Sequence, residues 1–161
     1  MGLAGLGLEK DLSMTLEALL ASFHLLAILT LVVFLSSEAA LCRPEWLNAA
    51  VVERLPRVDL FYGLAIALVL ITGLARVFLG VKGAAWYATQ PLLHLKVGLL
   101  ALMGLLSISP SLAFRRWRRE CRATGVLPDA TEVRRVRRLV MWQAHLFPVI
   151  PVVAAFWARG W

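Results

Sequence analysis

"PLLHLKVGLLALMGLLSISPSLAF", residues 91–114, reads as a helix written for hydrocarbon, interrupted only near its start by His94 and Lys96. At about 1.5 Å of rise per residue, a run of this length crosses a hydrocarbon core of roughly 30 Å. Three further stretches, 15–41, 58–80 and 136–158, have the same character. Of the 161 residues, 60% are hydrophobic and 17% charged, and the mean hydropathy is +0.77, outside the range of a soluble domain of this size. Backbone polar groups in lipid must be satisfied within each segment. The expected fold class is therefore all-α: an integral membrane four-helix bundle, one transmembrane domain over 1–161.

Helix punctuation separates the spans. "CRPEW" follows the first, and "GVKGAAWYATQP" divides the second from the third, with interfacial Trp86 and Tyr87 and with Pro91 at a helix start. The third span runs out through "RRWRRECRATG", and Asp129 with Glu132 three residues on reads as the cap of the fourth. Pro148 removes a backbone donor and predicts a bend in span four; Pro110 does the same near the end of span three.

The net charge of +7 does not point to nucleic acid. Nine of the seventeen basic residues, Arg115, Arg116, Arg118, Arg119, Arg122, Arg134, Arg135, Arg137 and Arg138, gather in and at the edge of the loop joining spans three and four. The first loop adds Arg43, Arg54 and Arg57. By the positive-inside rule these loops are cytoplasmic and both termini lie on the other side, which fits the inner membrane of a bacterium. Anionic lipid headgroups are the natural partners of the arginines. Cys42 and Cys121 then sit at the reducing face, where no disulfide is expected. The first apolar run is too long for a signal peptide and its flank, Glu9, Lys10, Asp11 and Glu17, is not basic, so it reads as a retained span.

Ionisable residues inside spans are costly and are functional candidates by default. They are His24 and Glu38 on span one, Arg76 on span two, His94 and Lys96 on span three, and His145 on span four. From the helical rise, His24 lies about 13 Å below the outer boundary, His94 within roughly 6 Å and His145 about 20 Å below it. His24 and His94 are thus the pair that can share a site. Facing imidazoles can hold a haem iron from both sides, small neighbours such as Gly98, Ala101, Ala21 and Ala27 let the ring approach, and Arg76, Lys82 and Lys96 collect where propionates would need cations. A plainer reading stands beside this one: a membrane histidine can simply bond a neighbouring helix, and Lys96 can snorkel. Glu38, fourteen residues after His24, projects to the same face. It can relay protons, but pairing with Arg43 or Arg57, or packing with Asp59 and Tyr62, is the favoured expectation.

"KGAAWY", residues 91–119 and "IPVVAAFWARG" resemble a bacterial family of four-span membrane proteins of unknown function, over nearly the whole chain. More distantly, a histidine midway along span one, "LHLKVGLL" on span three and the basic exit "RRWRRE" are similar to the HemJ-type protoporphyrinogen oxidases. That resemblance implies haem b bound through His24 and His94, Lys96 as a neighbouring functional lysine, and oxidation of a porphyrinogen with a quinone as acceptor. The chain departs from the oxidase pattern on span four, where "WQAHLFPVIP" lacks the Asn-Glu that precedes a proline there. The alternative is a non-catalytic accessory subunit, packed against a larger membrane complex or a second copy through its small residues and tryptophans. A solute transporter is less well supported, because no inverted repeat or carboxylate-lined path is evident.

Overall fold

The structure is a computed structural model that describes residues 3–79 and 89–158. Lys82, Trp86 and Tyr87 lie outside the described residues. The first helix, α1 (Leu3–Leu41), is 39 residues long. It stops where Arg43 turns extended (φ −127°, ψ 133°) ahead of Pro44, as the residue before a proline must. A short 3₁₀ turn, Pro44–Trp46, leads to Asn48, whose side-chain oxygen accepts from the Val51 N–H at 3.0 Å and starts the next helix.

That helix, α2 (Ala49–Leu79), begins nine residues before the apolar run starting at 58. Glu53, Arg54 and Arg57 interrupt the hydrophobicity of its first turns but not their hydrogen bonding, and Pro56 is accommodated within it. The third helix, α3 (Pro91–Thr124), has Pro91 in its first turn and continues unbroken past Pro110 and the arginines to Gly125. Gly125 adopts φ 73° and donates its N–H to the Cys121 carbonyl, a left-handed cap that glycine reaches without strain.

The fourth apolar stretch is not one rod. It forms α4 (Ala130–Leu146) and α5 (Val149–Ala158), with the break at Phe147–Pro148, where proline has no N–H to continue the ladder. Among the described residues three helices, α1, α2 and α3, are long and apolar enough to cross a bilayer. Asp129 caps α4 by accepting from the Thr131 N–H at 2.7 Å. That N–H holds the Asp129 carboxyl below the usual carboxylate range. Glu132 does not complete a capping box; it accepts from the Trp117 indole at 2.7 Å and pairs with Arg116.

The long helices pack in sequence, α1 on α2, α2 on α3 and α3 on α4, and α4 returns to α1, closing a ring. The core comprises Leu31 and Leu35 of α1, Leu55, Tyr62 and Ala65 of α2, Met103, Phe114 and Trp117 of α3, and Val133, Val136 and Val140 of α4. The outer faces of the first three helices carry Leu25, Leu29, Val33, Leu64, Leu68, Ile71, Leu105, Ile108 and Leu112, all exposed. Meanwhile Glu38, Asp59 and Gln143 are buried. Apolar outside with polar groups inside is the arrangement a lipid solvent permits. α4 is different: Val133, Val136, Val140 and Gln143 make its buried stripe, while Arg134, Arg135 and Arg138 face outward.

Candidate functional site

One stripe of α1, formed by His24, Ala27, Leu31, Leu35 and Glu38, turns towards the interior, so His24 and Glu38 do share a face. His24 is half-buried. Its Nδ1 lies 2.8 Å from the Thr72 hydroxyl on α2. Thr72 Oγ1 is also 2.6 Å from the Leu68 carbonyl, which can only accept, so the hydroxyl proton is committed there and Oγ1 must accept from Nδ1–H. This fixes the tautomer and leaves His24 Nε2 as an unprotonated donor atom for a metal. Gly73 lies against the ring: a Cβ there would sit 3.4 Å from His24 Cε1, in van der Waals contact.

Arg76 of α2 and Lys96 of α3 both lie near enough for their charges to act on the His24 ring. The structure therefore brings His24, Arg76 and Lys96 together at the end of the bundle away from the arginines. His94 stands elsewhere. Two positions before Lys96, it is turned by roughly 200° around the helix, onto the exposed face that also bears Gly98 and Ala101. Its Nδ1 lies 3.0 Å from the Gln90 carbonyl, so its Nε2 is also free. Helices α1 and α3 are not among the closely packed pairs, and α2 lies against both. His145 is exposed beside Arg138 and Trp142 in a shallow groove and bonds the Met141 carbonyl at 2.6 Å.

A second polar cluster sits at the arginine-rich end. Glu38 is 1% exposed and its carboxyl oxygens receive no N–H or O–H; neither Arg43 nor Arg57 pairs with it. Its carboxyl instead meets that of Asp59, which accepts from Ser111 Oγ at 2.5 Å. One turn on, Tyr62 donates to Gln143 Oε1 at 2.6 Å. Ser111 and Gln143 were not singled out from the sequence. Gln143 could have been, because it continues the Val133, Val136, Val140 stripe of α4.

Cys42, wholly buried beside this cluster, is a free thiol. Burial first, and its acidic neighbour Glu38 second, push the Cys42 thiol up to about 12. A polar maleimide at neutral pH is therefore expected to label the partly exposed Cys121 and to spare Cys42. Mass spectrometry of the labelled protein checks this, and modification of both thiols would mean that the α1–α2 junction opens readily.

Residues 16–161 match the family described as a predicted membrane protein (DUF2214). The chain belongs to that family. No curated protein and no solved structure matches it.

Proposed function

We propose that this member of the DUF2214 family is a membrane redox protein that holds one b-type haem at the His24 end of the bundle. Its protein environment would serve electron transfer, with a porphyrinogen as donor and a quinone as acceptor. The observation that carries the reading is His24: its Nδ1–H is spent on Thr72, its Nε2 is free, and two cations converge on it. A histidine oriented by a hydrogen bond at its far nitrogen is the usual form of a metal ligand and would hold the iron through Nε2. Arg76 and Lys96 supply the positive charge that propionates require, and Gly73 lies against the His24 ring. A bound haem would contribute one-electron transfer; the chain's own residues orient the ligand and neutralise the carboxylates. His94 is the second ligand in this reading, which requires α3 to turn about its axis, because His94 stands on the outer face, opposite Lys96. With the arginine-rich end cytoplasmic by the positive-inside rule, the site lies towards the opposite side of a bacterial inner membrane.

The test is an absorption spectrum of detergent-purified protein from haem-replete cells, oxidised and then reduced with dithionite. A Soret band is expected, abolished by His24→Ala and shifted from a low-spin to a high-spin form by His94→Ala. An unchanged low-spin spectrum in His94→Ala would remove His94 alone from the site. Colourless, folded wild-type protein that co-purifies with a stoichiometric partner would replace the redox reading with that of an accessory subunit.

A further inference from the structure

Glu38 presents an anomaly that the redox reading leaves untouched. A side chain with 1% of its surface exposed has two carboxyl oxygens that receive no donor, although arginines crowd the same end of the bundle. A buried carboxylate without partners is strongly disfavoured against its protonated form. The carboxyl it meets is that of another acid, Asp59, itself only 4% exposed. Two carboxyl groups can bond to each other only if one of them carries a proton. Asp59 Oδ1 accepts the Ser111 hydroxyl at 2.5 Å, a bond that stabilises negative charge on Asp59 and so favours Glu38 as the group that carries the shared proton.

We propose that Glu38 and Asp59 form a proton-binding site, holding one proton between their carboxyls and exchanging it with water at the arginine-rich end of the bundle. The ligand is the proton itself. In release, the Glu38 O–H bond breaks and the proton passes to water, leaving two carboxylates; in uptake the same bond reforms from hydronium.

The surroundings suit this exchange. Tyr62 lies one turn from Asp59 on α2 with its hydroxyl committed to Gln143 of α4. Ser111 and Arg115 face the pair from α3. Cys42, at the end of α1, has Arg137 of α4 near it. Arg115 and Arg137 thus stand ready to compensate the additional negative charge when the proton leaves. The route to water is short, because Glu38 lies less than one turn from the end of α1. Among the described residues no group of three or more histidine, cysteine, aspartate or glutamate side chains is placed to hold a metal ion. The site is at the opposite end from His24, and its test does not depend on haem.

Infrared spectroscopy of the full chain in lipid or detergent reads the proton directly. At neutral pH the wild type should show a protonated-carboxyl C=O band that moves to lower frequency in D₂O. Glu38→Gln should abolish it. Asp59→Asn should shift it, because Glu38 then bonds an amide in place of a carboxylate. Absence of any band that Glu38→Gln removes would overturn the proposal, as would a band that stays fixed in D₂O, which would mark a proton sealed in the structure. The D₂O experiment uses unaltered protein, so it decides exchange even where a variant folds poorly.

Discussion

Trp117→Ala is expected to destabilise the protein by about 3–5 kcal/mol, the range for truncating a buried indole to a methyl group. Trp117 is 1% exposed and packs edge-on against Phe114, with ring centroids 5.5 Å apart. It also ties α3 to α4 through its Nε1–H bond to Glu132. The truncation leaves a void at the α3–α4 seam that helices already held by α2 and α1 cannot close. Glu132 keeps Arg116 as a partner, so the loss comes chiefly from packing. Trp117→Phe should therefore recover most of the stability. Thermal or SDS-induced unfolding in detergent checks the series, and a loss in Trp117→Ala below about 1 kcal/mol would mean that the seam is not packed as described.

Tyr62→Phe is the second substitution with a large expected effect. The hydroxyl it removes is the donor to Gln143 Oε1 in a site where both residues are fully buried. A buried acceptor that loses its donor costs about 1–3 kcal/mol, although hydrogen bonds between helices in membrane proteins fall mostly towards the low end of that range. Gln143→Leu should cost a similar amount by orphaning the tyrosine hydroxyl. The double variant Tyr62→Phe with Gln143→Leu should be more stable than the sum of the two single changes predicts, because both polar groups then leave together. Strict additivity of the two losses in SDS unfolding would show that the two side chains do not bond.

The helical class was legible because lipid leaves few alternatives, and the ends of α3 were legible because Pro91 and Gly125 act through local backbone geometry. The facing of the helices was harder to read. A helix that is apolar all round carries no record of which side meets protein and which meets lipid, so the sequence placed His94 and Lys96 in one site without saying which of them turns inward. Two positions apart on a helix, they cannot both do so; the structure turns Lys96 in and His94 out. The start of α2 was hidden for the opposite reason, since its charged first turns look like a loop to any reading based on hydropathy. The fourth stretch shows the weight of one proline: Pro148 was expected to bend a single helix, and in the structure it separates two. For Glu38 the sequence offers either a pairing with Arg43 or Arg57 or packing with Asp59 and Tyr62; the structure has it facing the interior beside Asp59, while Arg57 points outward.

The closing of the ring by α4 has a consequence for how the protein is made. Tyr62 waits for an acceptor that lies 81 residues later in the chain, so the first three helices leave the ribosome and enter the bilayer with that hydroxyl unsatisfied. The bundle's buried polar pairing is therefore completed only by the chain's last long helix, α4.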